Sequence, residues 1–410
     1  MWESLFDRMA RTVVQQGALT VTYPSGMSKT YGDGSGEPAS LRIHDQRSLR
    51  RILLNPELAL GESYMDGGIS FAEDDLRGFL AIALRNIGLG RKAALQIWLG
   101  RFRRIIRTAR QWNPVGTAQR NVAHHYDLSG KLYDLFLDAD KQYSCAYFRT
   151  PGDTLDAAQA QKKAHIAGKL LIEPGMRVLD IGCGWGGMAL TLARDYGAQV
   201  VGVTLSEEQH KIATARAEAE GLSDRVEFRL ADYRTVTESF DRIVSVGMFE
   251  HVGVPHYREY FSNVRERLTE DGVALIHTIG RTSPPGYTSP WILKYIFPGG
   301  YIPSMSEVMK AMERERLYIT DVEVWRLHYA KTLRHWEQRF SANHDRVAEL
   351  YDERFCRMWR YYLIAAEMTF RHNNQCVFQF QLARRQEAVP LTRDYLYAPE
   401  DTDRMHHAAE

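Results

Sequence analysis

The segment Val178-Leu179-Asp180-Ile181-Gly182-Cys183-Gly184-Trp185-Gly186-Gly187 constrains the fold of this chain more than any other. A buried-type strand runs directly into a glycine turn, and a helical pattern opens at Gly187. Glycines at such a turn permit a tight reversal and a close backbone approach to a ligand. The pattern then repeats: residues 199–203, 226–230, 241–246 and 273–278 read as strands, with helices over 187–196, 206–220 and 256–268. This order predicts an α/β fold, a parallel sheet covered by helices on both faces. Two later strand patterns, 319–325 and 376–383, flank a long helical region and are expected to close the sheet as an antiparallel edge.

Ahead of this lies a small α+β module over residues 1–90. Residues 2–15 mix apolar and charged side chains as a short amphipathic helix does, and 18–23 and 39–43 look like strands. Between those strands is a turn-rich stretch with Pro24, Gly26, Gly32, Gly34 and Gly36. Helical pattern runs from about residue 45, breaks at Asp66-Gly67-Gly68 and resumes near Asp74. Residues 91–115 form a basic amphipathic linker. Arg91, Lys92, Arg101, Arg103, Arg104, Arg107 and Arg110 alternate there with Leu95, Trp98, Phe102 and Ile105, and no acidic residue interrupts residues 90–112. Such a helix suits an anionic bilayer surface. It equally suits a linker packed on the domain with its arginines in water. The remainder, 116–400, is read as the catalytic domain.

The formal net charge of +1 gives no global field that would point to nucleic acid. None of the four cysteines stands at C-x-x-C spacing, so neither a metal site nor a disulfide framework is signalled. No apolar run reaches the ~18 residues of a spanning helix, and the first residues lack the order of a signal peptide. A cytoplasmic chain with reduced thiols is expected, with any membrane contact peripheral.

A glycine turn alone also fits a nicotinamide cofactor. Two features favour S-adenosylmethionine. Asp180 sits at the strand end, where a carboxylate can lie near a cationic methionine end. The second strand ends in Thr204-Leu205-Ser206, without the acidic residue of a dinucleotide site. After the third strand, Asp232 can accept from an adenine amino group with Tyr233 nearby, and Gln209 can reach a ribose. Taken singly, each of these is an ordinary turn or cap; their order along one sheet argues for a methyltransferase.

The chain resembles the cyclopropane-fatty-acid synthase group, which includes the mycolic-acid cyclopropane synthases. The motifs are His124-His125-Tyr126-Asp127-Leu128-Ser129, Gln142-Tyr143-Ser144-Cys145-Ala146-Tyr147, the glycine turn, Gly202-Val203-Thr204-Leu205-Ser206, Glu250-His251-Val252-Gly253, His277-Thr278-Ile279-Gly280 and His328-Tyr329-Ala330-Lys331-Thr332-Leu333. The resemblance is close over about 115–385 and looser over the N-terminal module. It implies a class I methyltransferase fold with a small lipid-binding N-terminal domain. It also implies methylene transfer from S-adenosylmethionine to the cis double bond of unsaturated phospholipid chains. Tyr126, Tyr143 and Ser144 would hold the methionine end of the donor, with Gly182, Gly184, Trp185 and Gly186 beneath it. The resemblance further implies a bound bicarbonate base, held by Cys145, Glu250, His277, Ile279 and Tyr329. A carboxylate beside an anion is unfavourable by Coulomb's law. Glu250 is therefore read as accepting the bicarbonate hydroxyl proton, while His277, Tyr329 and the amides of Cys145 and Ile279 donate. Aromatic faces at Tyr147, Phe249, Tyr295 and Tyr301 are candidates to stabilise cationic character. The N-terminal module is expected to position the bilayer and to support a homodimer.

Other readings stay open. The same first step can end as a methyl or methylene branch. Amine methylation, known on this fold, needs no base at the bicarbonate position. Without the motif set, His277 reads as a satisfied core histidine, Cys145 as a small hydrophobe and Tyr329 as a helix anchor.

Overall fold

The computed structural model describes residues 1–90, 100, 103 and 130–397. Helix α1 (Trp2–Val13) buries Phe6 and Ala10 against a four-stranded sheet of β1 (Ala18–Thr22), β2 (Ser28–Tyr31), β3 (Pro38–Ile43) and β4 (Ile69–Ser70), in the order β2-β1-β3-β4. The turn-rich stretch expected between the first two strands therefore contains a strand. β2 has one buried residue, Tyr31, so an edge strand of polar residues carried no apolar alternation to read. Helices α2 (Gln46–Leu54), α3 (Pro56–Met65) and α4 (Leu76–Gly88) follow. Asp45 caps α2 through the Ser48 amide, and Asn55-Pro56 splits the expected single helix before its break at Gly67.

The second sheet has seven strands: β5 (Arg177–Ile181), β6 (Gln199–Thr204), β7 (Val226–Leu230), β8 (Phe240–Val246), β9 (Leu268–Arg281), β10 (Tyr318–Trp325) and β11 (Gln375–Ala383). Their order is β10-β11-β9-β8-β5-β6-β7. β5 through β9 are mutually parallel; β11 runs antiparallel to β9, and β10 antiparallel to β11. The helices around this sheet are α5 (Gly130–Asp134), α6 (Leu155–Leu170), α7 (Gly187–Tyr196), α8 (Glu207–Ala219), α9 (Tyr257–Arg267), α10 (Pro290–Tyr295), α11 (Met305–Arg314), α12 (His328–Ala342), α13 (His344–Leu350) and α14 (Glu353–His372).

Side chains alternate across β5. Leu179 and Ile181 pack with α9 and α11, while Val178 packs with α6, α7 and α8. Asp180 shares the α6 side by the same alternation. Chain order moves from β5 outward to β7, then jumps back across β5 to β8. That reversal opens a crevice at the carboxyl ends of the strands, where ligands bind in open α/β sheets.

A third core joins the two parts of the chain: Phe6, Leu49, Phe71 and Leu76 share one buried cluster with Trp336, Trp359 and Ile364. Charge reinforces that seam. Arg77 donates from NH2 to Glu337 (2.9 Å) and from Nε to Glu367 (3.0 Å), and both carboxylates are buried. Arg371 and Arg360 also reach these carboxylates, at 2.9 and 3.4 Å, so losing Arg77 weakens the network without leaving either charge alone. Arg77→Ala is expected to lower unfolding stability by about 1 to 2 kcal/mol in urea titrations at neutral pH; an unchanged midpoint would show that the seam does not depend on this contact.

Candidate active site

A cavity of about 160 Å³ lies in the crevice at the ends of β5, β6, β7 and β8. Eleven of the residues expected at a cofactor line it: Tyr143, Ser144, Asp180, Gly182, Gly184, Trp185, Thr204, Leu205, Gln209, Asp232 and Tyr233. The glycine turn is dictated by packing as well as conformation. Gly182 has φ +79°, and a Cβ there would lie 2.9 Å from the Met248 Cβ; at Gly186, φ +86°, it would lie 2.6 Å from the Phe228 ring. Gly186 and Ser206 stand outside the cavity wall. Ser206 caps α8 by accepting from the Gln209 amide at 3.3 Å, and Thr204 Oγ1 donates to Gln209 Oε1 at 2.9 Å. Asp232 is held by its own neighbour: Arg234 Nε reaches Oδ1 at 2.8 Å and NH2 reaches Oδ2 at 2.7 Å. An adenine amino group there would share a carboxylate already engaged. Arg234 was not foreseen.

Asp180 is the cavity's charged centre. It is buried, its Oδ2 has no hydrogen-bond partner, and burial raises its carboxyl to about 7 against the field of Lys162. A cationic ligand group would restore the ionised form. An orphaned acid beside a glycine cradle fits the sulfonium-bearing end of S-adenosylmethionine.

The strap carrying Tyr143 and Ser144 crosses the cavity and is tied from several sides. Asp138 accepts from the Gln142 amide at 2.9 Å, the Ala146 amide donates to Thr332 Oγ1 at 3.0 Å, and the Tyr143 hydroxyl lies 3.1 Å from that of Tyr362. Lys162 and Gln159 of α6 hold its middle; neither was singled out from sequence, where a lysine in a helical pattern reads as solvent-facing.

None of the residues expected around bicarbonate lines the cavity itself; Cys145 and Glu250 are chain neighbours of lining residues, His277 pairs with one across the sheet, and Ile279 reaches Glu250. Glu250 follows the lining residues Gly247 and Met248, and its Oε1 accepts from the Ile279 amide at 2.6 Å. Its Oε2 is buried without a partner, and burial raises the carboxyl to about 7. His277 is the β9 register partner of Val246, whose residue lines the cavity. Gln379 Nε2 lies 3.1 Å from His277 Nδ1. The amide can only donate there, which leaves the ring proton on Nε2. Burial and the lysine charges hold this imidazole neutral, well below its usual range. Tyr329 is buried, packs edge-on to Trp336, and lies within electrostatic reach of Tyr143. Burial raises the Cys145 thiol strongly, and the thiol donates weakly to the Ala146 carbonyl at 3.4 Å, so no thiolate nucleophile is available. The Ile279 amide hydrogen is spent on Glu250; an anion would have to share it.

The four expected aromatic faces do not line the cavity. Tyr147 stacks on His165 and His328, and Phe249 is buried among Tyr257, Tyr260 and Phe261. The Tyr295 hydroxyl donates to Glu62, and that of Tyr301 to Glu307. The aromatic wall beside Tyr143 is instead Tyr133, Trp185 and Trp336. Tyr126, His124, His125 and Asp127 lie outside the described residues, as does most of the basic linker. Within it, Arg103 pairs with Glu57 and donates to Asn55 Oδ1 at 2.9 Å, so this arginine is committed to the protein surface. Among the described residues no cluster of metal-ligating side chains occurs and no helix is long and apolar enough to cross a membrane.

The family described as mycolic acid cyclopropane synthetase matches residues 115–380, and a family described only as a domain of unknown function matches 2–87. The cyclopropane-fatty-acyl-phospholipid synthase of Escherichia coli K12 is 41% identical over 353 residues, which cover 85% of this chain and 88% of that protein. The tuberculostearic acid methyltransferase UfaA1 of Mycobacterium tuberculosis is 35% identical over 397 residues, 93% of this chain and 91% of its own. Among solved structures, the mycolic acid cyclopropane synthase CmaA1 complexed with SAH and CTAB aligns with a TM-score of 0.62 at 34% identity, covering 66% of this chain and 99% of that one. Sheet order, glycine turn and cavity thus define a class I methyltransferase dependent on S-adenosylmethionine. Within that class, the chain belongs to the mycolic acid cyclopropane synthetase family.

Burial of Glu250 has a thermodynamic signature. Its folded value of about 7 lies above the ~4.3 of an exposed glutamate. The folded state therefore holds a proton that the unfolded chain releases, and stability is lost as pH climbs from ~4.3 through 7. Glu250→Gln, which keeps the oxygen that accepts from Ile279, is expected to be more stable than the parent by on the order of 2 kcal/mol at pH 8. The gap should close by pH 4.5. A gap independent of pH in urea unfolding would contradict the burial.

Proposed function

We propose that the chain transfers a methylene group from S-adenosylmethionine to the cis double bond of unsaturated phospholipid acyl chains, closing a cyclopropane ring. The observation that carries this reading is Glu250, with one oxygen pinned by the Ile279 amide and the other buried and unpartnered. An alkene has no proton to lose before it attacks; ring closure needs one removed afterwards, from the newly added methyl group. Machinery placed for late proton removal is what alkene chemistry requires and amine methylation does not.

The donor supplies an electrophilic methyl carbon. Bicarbonate, the base the family resemblance implies, fits the polar groups beside the cavity. Glu250 Oε2 would accept its hydroxyl proton, and His277 Nε2–H and the Tyr329 hydroxyl would donate to its oxygens. A neutral His277 donates without adding a full charge, and the burial of Glu250, His277 and Tyr329 would limit the water able to quench a cationic chain. On the donor side, Asp180 faces the cationic end, the glycine turn lets the backbone approach, and Gln209 and Asp232 stand toward the ribose and adenine.

Residues 1–90 are proposed to position the lipid, the basic segment 91–115 to lie toward an anionic membrane face, and 116–400 to carry the chemistry, in a cytoplasmic homodimer bound peripherally. A branched product is the second reading, favoured by the likeness to UfaA1, a tuberculostearic acid methyltransferase that aligns over nearly the whole chain. Incubation with labelled S-adenosylmethionine and vesicles of cis-unsaturated phospholipid should yield chains heavier by one CH2, and fragmentation or NMR should show a ring. Glu250→Gln should lower turnover about 10²- to 10⁴-fold while S-adenosylhomocysteine affinity stays within about twofold. Unchanged turnover would remove Glu250 from its role, and an olefinic branched product would favour the second reading.

A further inference from the structure

The charge at the centre of α6 has no part in the chemistry above. Lys162 is fully buried, and its Nζ donates to Gln142 Oε1 at 2.6 Å and to Ser144 Oγ at 2.8 Å. One turn earlier on the same helix edge, Gln159 Nε2 donates to the carbonyls of the same two residues, at 3.2 and 3.0 Å. The two grips therefore fix the strap at positions 142 and 144 together.

Gln159 grips the backbone carbonyls, whereas Lys162 grips the side chains. A lysine adds a desolvated positive charge, which is costly without negative partners. Its hydrogen bonds go to neutral groups, and Asp138 and Asp140 act on it only through space; burial brings its ammonium down to about 8. An ammonium cannot accept, so Ser144 Oγ is the acceptor in their contact and its own hydrogen is left for another acceptor. Ser144 lines the cavity, as does Asp180, whose orphaned oxygen lies within the field of Lys162. One end of the cavity thus pairs a negative group with a hydroxyl donor backed by a cation. That pattern is complementary to a zwitterionic amino acid, with its ammonium toward Asp180 and its carboxylate toward Ser144.

We infer that Lys162 is a positioning residue that selects the α-carboxylate of the donor's methionine portion by holding the Ser144 hydroxyl as a donor into the cavity. The inference rests on the S-adenosylmethionine reading of the cavity, with Ser144 at the methionine end, and adds to it the buried residue that sets the direction of the Ser144 hydroxyl.

The test is calorimetric titration of the full chain with S-adenosylhomocysteine and with 5′-methylthioadenosine, which keeps the adenosine and lacks the amino acid. Lys162→Met should weaken S-adenosylhomocysteine about 10- to 100-fold, as expected for a charge-assisted hydrogen bond, and leave 5′-methylthioadenosine within about twofold. Ser144→Ala, which keeps the lysine and removes only a hydroxyl, should show the same selective loss and serves if the methionine variant does not fold. Equal losses for both ligands, or no loss for S-adenosylhomocysteine, would overturn the inference. Failure of the parent chain to bind S-adenosylhomocysteine would instead remove the cofactor reading, and this inference with it.

Discussion

The hydrogen bond from the Ile279 amide to Glu250 Oε1 joins three pieces of the site. It ties the turn after β8 to β9, and so fixes Glu250 beside the register pair Val246 and His277. The Glu250 carbonyl accepts from the Tyr301 amide at 3.0 Å, which anchors the loop whose Pro298 and Gly299 line the cavity. With one oxygen engaged, the other can remain in reserve at lower cost.

The same economy governs the cavity's other charges. Asp180 and Glu250 are both raised to about 7, and Lys162 is lowered to about 8, each by burial. All three values lie close enough to neutral pH for a bound ligand's charge to shift them. The protein supplies few committed charges and many fixed dipoles, the arrangement suited to a reaction that creates and then discharges a cation. Behind them, β11 closes the sheet on β9 and places Gln379 opposite His277, which sets the tautomer of that ring.

Much of this was legible in the sequence because it rests on local pattern. β5, α7 and β7 follow from short apolar runs, glycines and helical periodicity within one continuous stretch, and the antiparallel pairing of β10 with β11 follows from two strands left over toward the end of the chain. Glu250, His277 and Tyr329 stand out in the sequence only as parts of motifs; in the fold Glu250 neighbours cavity-lining residues in the chain and His277 pairs with lining Val246. What was not legible depends on long-range packing. Polar β2 pairs at an edge; Lys162 faces inward only because the strap crosses α6; and Tyr147, Phe249, Tyr295 and Tyr301, equally aromatic in the sequence, are turned to other partners by the elements that carry them. A side chain's type is local, but the direction in which it points is set by everything packed around it.

The proposed chemistry depends on an anion held by Glu250, His277 and Tyr329. The most direct test is turnover measured in buffer stripped of dissolved carbon dioxide, then after bicarbonate is returned. The parent enzyme should slow on stripping and recover on addition, whereas Glu250→Gln should respond to neither. A parent rate that is the same in both buffers would rule out the bound anion.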